Sequence, residues 1–168
     1  MIDAQQQANT TPGGAQRDGL LGLLNLLVID DDPVQRMLIA GAAGKAGYTV
    51  TEASSCAEGI ALLGQRCFDC ITLDLLLDDG DGADVMRAMA EARYAGPLIV
   101  ISGMDSQRRR SARVLARSLG MDLLQSFPKP IDLAALRISL ANLRSTVAGL
   151  PIIHSWGEVA GPRFNDVR

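Results

Sequence analysis

The sequence has one histidine, His154, close to its C-terminus. That excludes a metal centre built on several imidazoles and a relay of histidines. Lysine is almost as scarce: Lys45 and Lys129 stand against 14 arginines, and four glutamates stand against 15 aspartates. The longest apolar stretch, Leu20 to Ile29, is broken by Gly22 and Asn25, and spanning a bilayer takes about 20 apolar residues. The polar N-terminus carries no basic segment ahead of an apolar one, so no secretory signal is read. A net charge of −3 argues against a protein that coats nucleic acid. Cys56, Cys67 and Cys70 are an odd number, and small buried thiols in a reducing compartment are expected. These absences leave a cytoplasmic protein with no membrane or direct nucleic-acid contact as the expectation.

What is present suits one domain with tails: 168 residues, 48% apolar and 21% charged. Residues 1–22, rich in Gln, Gly and Thr, read as a disordered leader. Residues 149–168, with Pro151, Gly157, Gly161 and Pro162, read as an irregular tail. The folded domain is expected over 23–148, with no internal repeat.

Within it, apolar runs alternate with amphipathic stretches. Strands are predicted at Asn25–Ile29, Tyr48–Glu52, Cys70–Asp74, Leu98–Ile101 and, more weakly, Leu123–Ser126. Asp32, Pro33 and Gln35 open a first helix that stops at Gly47. Ser55 and Glu58 form a second capping box, opening a helix to about Gln65. Further helices are expected at Ala83–Tyr94, at Ser106–Leu119, and from Asp132 to Val147. Strands that are apolar throughout are covered on both faces. The expected fold is therefore α/β: a doubly wound, five-stranded parallel sheet with helices on both faces, a (βα)5 sandwich of flavodoxin-like type.

The polar residues collect where such folds bind ligands, beyond the C-terminal strand ends. Asp30, Asp31 and Asp32 end the first strand, Asp74 the third and Ser102 the fourth; Lys129 follows the fifth, between Pro128 and Pro130. Crowded carboxylates repel unless a cation joins them. With no imidazole at the site, Mg2+ (or Mn2+) fits better than Zn2+. A carboxylate nucleophile, a metal, a hydroxyl and a fixed ammonium are the parts needed to form and hold an acyl phosphate.

At LLVIDDDP (26–33), CITLDLLLDDGDG (70–82), PLIVIS (97–102) and FPKP (127–130) the sequence resembles the receiver domain of two-component response regulators. The resemblance implies Asp74 as phosphoacceptor, Asp31 as a direct metal ligand, and Asp30 acting mainly through water. It also implies the backbone carbonyl of Leu76 as a ligand, Ser102 as switch hydroxyl and Lys129 as the phosphate-pairing lysine. Lys129–Pro130 is expected to be cis, and Gly82 matches the family's Asp-Gly before the third helix. The sequence departs from the pattern at Asp78, where the family usually has proline, and at Ser126, where it often has the switch aromatic. Phe127 takes that role only through a shifted register.

The implied function is a phosphorylation-switched domain, supplied by a histidine kinase or a histidine phosphotransfer protein. Few residues follow the last helix in this sequence. Output is therefore expected through protein contact, through a homodimer on the face of the fourth helix, fifth strand and fifth helix, or through onward phosphotransfer. The alternative is a phosphatase of the haloacid-dehalogenase type, because Asp30-Asp31-Asp32-Pro33-Val34 fits its D-x-D-x-[TV] motif with Asp30 as nucleophile. That reading lacks an acidic pair after the lysine and leaves Asp74 unused. Asp78, Asp79, Asp81 and Asp84 fail calcium-loop spacing and read as a solvated loop. Arg108, Arg109, Arg110, Arg113 and Arg117 read first as a solvated helix face. The Leu133, Leu136, Leu140, Leu143 and Val147 stripe reads as packing on the sheet, and His154 as inert.

Overall fold

A computed structural model describes residues 22–103 and 105–148. The leader up to residue 21, the tail from 149 and His154 lie outside the described residues.

Five parallel strands form the sheet: β1 (Leu24–Ile29), β2 (Tyr48–Ala53), β3 (Cys70–Leu73), β4 (Pro97–Ser102) and β5 (Asp122–Pro128). Their spatial order is β2-β1-β3-β4-β5. The order reverses between β1 and β3, which places the topological switch point beside the ends of these two strands. The helices are α1 (Pro33–Lys45), α2 (Cys56–Leu63), α3 (Gly82–Glu91), α4 (Ser106–Ser118) and α5 (Leu133–Ala148).

Two cores explain the apolar runs. Leu26, Val28, Ile99 and Ile101 point to the face covered by α1 and α5, where Ile39, Leu136 and Leu140 meet them. Leu27, Ile29, Leu73 and Val100 point to the other face, against Val85, Met86 and Met89 of α3 and Ala116 of α4. Alternate residues of the inner strands thus feed different cores, and the one buried polar position among the described residues before the strand ends is Thr72 of β3.

Local chemistry sets the boundaries. Asp32 accepts from the Val34 and Gln35 N–H groups at 2.8 and 3.3 Å. The return arm of the expected capping box is missing: Gln35 Oε1 is buried and meets no donor among the described residues. Ser55 caps α2 by accepting from Glu58 N–H. Glu58 reaches one residue further back than a capping box would, to the Ser54 N–H and hydroxyl at 2.7 and 2.8 Å. Helix α3 ends at Glu91, short of Tyr94, because Arg93 takes a left-handed φ of 54°. The Tyr94 hydroxyl then donates to the Pro97 carbonyl at 2.9 Å.

Two features carry no periodic signal. A two-residue hairpin, Leu76–Leu77 with Gly80–Asp81, lies between β3 and α3. The β4–β5 register slips by one residue after Leu98–Leu123, so that Ile99 pairs with Gln125 and Ile101 with Phe127. The cysteine expectation is corrected at one position. Cys56 and Cys70 are buried, and burial pushes the Cys70 thiol up to about 12. Cys67 is exposed, since it sits in the loop before β3 and no described residue covers it. Cys67 and Cys70 also stand in C-x-x-C spacing, and both thiols are free.

Candidate functional site

The site forms because three strand ends stop together. Asp30 follows β1, and its N–H donates to the Ala53 carbonyl of β2 at 3.2 Å. Asp74 follows β3, and its N–H donates to the Ile29 carbonyl at 2.9 Å. Sheet bonding therefore continues one residue past each strand and fixes both carboxylates at the same edge. Asp30 is 1% and Asp74 5% exposed. Carboxylate oxygens of Asp30, Asp31 and Asp74 lie within 4.8 Å of one another.

Lys129 bridges the two buried acids. Its Nζ lies 2.6 Å from Asp74 Oδ2 and 2.7 Å from Asp30 Oδ2. The Lys129 N–H donates to the Ser102 carbonyl at 3.2 Å, which ties the lysine's backbone to the end of β4. Ser102 itself is fully buried. The Lys129–Pro130 bond is cis, as expected.

Burial pushes the Asp30 carboxyl up; contact with Lys129 and the Asp32 N–H oppose this, and the Asp74 charge adds to it. Burial pulls Lys129 down, but its bonds to Asp30 and Asp74 and their charges outweigh burial, so its pKa is raised. The ammonium is thus held charged by the acids that need it.

Neighbouring backbone completes the geometry. Asp74 Oδ1 accepts from Leu76 N–H at 3.0 Å and Asp30 Oδ1 from Asp32 N–H at 2.9 Å. Asp31 Oδ2 accepts from Asp78 N–H at 3.0 Å. Gly82 sits where a Cβ would come within 2.7 Å of Leu75 Cα and 3.0 Å of the Asp74 carbonyl oxygen. Only glycine lets α3 start this close to the acid.

The donors suit a hard divalent cation. All three side chains are carboxylates, and Asp30 Oδ2 is buried. Lys129 Nζ lies 2.7 Å from that oxygen, and a carboxylate oxygen has a further lone pair to offer a cation. Such a set fits Mg2+ or Mn2+ and offers no soft ligand for Zn2+.

Phe127 is 6% exposed and belongs to the core shared with Ile99, Ile101, Leu136 and Leu140. Ser126 pairs with Val100, on the α4 side. The register slip falls before this point and does not bring Phe127 round to that side. The sequence reading missed Arg36, whose Nη1 donates to the Asp30 and Asp31 carbonyls at 2.7 and 2.9 Å. Its Nε lies 3.5 Å from Glu52. An arginine in the first turn of α1 has no local signature for this; the Glu52 contact exists only because β1 and β2 are neighbours.

Residues 26–141 match the response regulator receiver domain family. This chain belongs to that family. It is 31% identical over 133 residues to the KDP operon transcriptional regulatory protein KdpE of Escherichia coli, covering 78% of this chain and 57% of KdpE. It is 28% identical over 144 residues to the response regulator MprA of Mycolicibacterium vanbaalenii, covering 86% of this chain and 59% of MprA. This chain therefore spans a little over half the length of these relatives. A response regulator structure from Colwellia psychrerythraea is 31% identical, with a TM-score of 0.66, covering 74% of this chain and 99% of that one. The chain is thus a two-component receiver domain, and the phosphatase alternative finds no support among these matches. Receiver domains of this family bind Mg2+ at such an acidic pocket and interact with histidine kinases or phosphotransfer proteins. Among the described residues, no helix is long and apolar enough to cross a membrane.

Proposed function

We propose that Asp74 of this chain accepts a phosphoryl group from a histidine kinase or histidine phosphotransfer protein in the cytoplasm. A carboxylate oxygen of Asp74 attacks phosphorus, the donor's bond to phosphorus breaks, and an aspartyl phosphate forms. Asp30, Asp31, Asp74 and the Leu76 carbonyl would hold Mg2+, which when bound neutralises charge on the phosphoryl oxygens. Lys129 orients the Asp74 carboxylate before reaction and pairs with a phosphoryl oxygen afterwards. Ser102 is the hydroxyl that follows the new charge inward, and the shift biases an equilibrium of the α4, β5 and α5 face.

The observation that carries this reading is the Lys129 bridge between Asp74 and Asp30. A response regulator structure from Burkholderia pseudomallei, 27% identical with a TM-score of 0.60, is described as having a phosphorylated aspartic acid and a calcium ion, which supports phosphorylation of an aspartate and binding of a divalent cation here. Output by protein contact, including a second copy of the chain, is supported by exposed Val114 and Leu124 on α4 and β5, with Ile138 on α5 partly exposed. The test is incubation with acetyl phosphate and Mg2+, then borohydride reduction and peptide mass spectrometry. Label at Asp74, absent in Asp74→Asn, is expected. Label at Asp30 with phosphatase turnover would overturn the proposal.

A further inference from the structure

The four aspartates of the 78–84 segment gave no metal spacing in sequence, yet Asp79 makes two specific tertiary bonds. Its Oδ1 accepts from Cys56 N–H at 2.7 Å and its Oδ2 from Ala57 N–H at 3.0 Å. These are unpaired donors of the first turn of α2, reached from 22 or more residues away. Ser55 serves the next donor, Glu58 N–H, at 3.1 Å. The start of α2 is thus satisfied by two sources, one local and one from the acceptor loop.

The same segment is fastened to the site. Leu76, at the start of the hairpin, gives its N–H to Asp74; Asp78, at the tip, gives its N–H to Asp31; Asp81, at the end, caps α3 through Ala83 N–H at 2.9 Å. Gly80 packs against Cys56: a Cβ there would lie 3.1 Å from Cys56 Sγ. Asp79 is the anchor between Asp78 and Gly80. The two backbone bonds hold its carboxyl below the usual carboxylate range, so it stays ionised and able to accept both N–H groups. A proline at 78 would remove the N–H that Asp31 uses. This chain instead has a hairpin with an N–H at 78 and a carboxylate clamp at 79.

We propose that Asp79 is a positioning residue for the receiver site: by clamping the hairpin tip to α2, it holds the Asp78 N–H on Asp31 and the Leu76 N–H on Asp74. The inference rests on the receiver reading above and names a further residue of that site. Outer contacts that orient metal-ligating carboxylates commonly govern about 10–100-fold in affinity. Asp79 acts through one more step, so a loss near tenfold is expected.

The experiment compares Asp79→Ala, Asp79→Asn and Ser55→Ala with the parent chain. Ser55→Ala removes a cap of the same helix without touching the hairpin. Mg2+ affinity is measured by isothermal titration, and amide exchange by mass spectrometry with residue-level fragmentation. Asp79→Ala should weaken Mg2+ about tenfold and speed exchange at Leu76 and Asp78 as well as at Cys56 and Ala57. Asp79→Asn, keeping one acceptor oxygen, should fall between. Ser55→Ala should lower the melting temperature and leave Mg2+ affinity unchanged. If Asp79→Ala speeds exchange only at Cys56 and Ala57 and binds Mg2+ as the parent does, Asp79 is a helix cap and the proposal is wrong. Equal Mg2+ losses in Asp79→Ala and Ser55→Ala would overturn it too. Because neither readout requires phosphorylation, failure of Asp74 to label would sink the receiver proposal and leave this one separately judged.

Discussion

Lys129 Nζ sits 2.6 Å from Asp74 Oδ2 while a second buried acid, Asp30, lies 2.7 Å away on the same nitrogen. One ammonium thus answers two carboxylates that would otherwise repel. The pair still outnumbers the single ammonium, and Asp31 adds a third carboxylate, so the site carries an excess of negative charge that a divalent cation would balance.

Removing the lysine should expose that imbalance. Lys129→Ala leaves two buried like charges, and about 3 kcal/mol of stability should be lost, the low end for breaking a buried pair. The low end applies because 19% of the lysine side chain reaches solvent. Urea unfolding with EDTA should show the loss, and millimolar Mg2+ should restore part of it. A variant as stable as the parent in EDTA would show that the bridge contributes nothing.

Mg2+ should also stabilise the parent chain by linkage, by about 2.7 kcal/mol at a hundred times the dissociation constant. Thermal scans across a Mg2+ series measure it. Asp31→Ala should abolish the dependence while leaving the EDTA melting temperature near the parent's, since the Asp31 side chain is half-buried and its bond to the Asp78 N–H is exposed. A full Mg2+ response in Asp31→Ala would remove Asp31 from the ligand set.

Much of this was legible in sequence because the inner strands are apolar on both faces, so each strand end announced itself by a switch to Asp or Ser. Asp30, Asp74, Ser102 and Lys129 needed only the parallel topology to be brought to one edge. What stayed hidden depends on contacts between distant segments. The hairpin at Leu76–Asp81 is too short to show a period, Asp79 finds its partners on α2, and Arg36 finds Glu52 on β2. The slipped register in β5 is equally silent, because Leu123 and Leu124 are both apolar and either could face the core.

The glycine at the start of α3 makes a sharp steric prediction. In Gly82→Ala the new methyl would meet the backbone of Leu75 and Asp74, which cannot swing aside as a side chain can. A cost of about 1–3 kcal/mol is expected, as for overpacking a tight core, and labelling by acetyl phosphate should slow more than in a variant equally destabilised elsewhere, such as Leu140→Ala. If the two variants, matched for stability, label at the same rate, the close approach of α3 serves only packing.

Asp30 should leave a signature in the pH dependence of the metal-free protein. Its carboxyl is raised in the fold, from an ordinary 3.8, chiefly by burial. Between the ordinary and the raised value the folded state binds more protons than the unfolded chain, so this group makes stability fall as pH rises. Above the raised value its full cost is present; below the ordinary value it vanishes. Glu58, Asp79 and Asp105 are lowered by backbone bonds and act in the opposite direction, losing their contribution as pH falls. The comparison must therefore be a difference between parent and Asp30→Asn, measured by urea unfolding in EDTA at a series of pH values from neutral down to about 4. The parent should gain stability relative to Asp30→Asn as pH falls through that window, because only the parent can take up the proton. A constant difference would mean that Lys129 holds Asp30 at its ordinary value and that burial of this acid carries no cost.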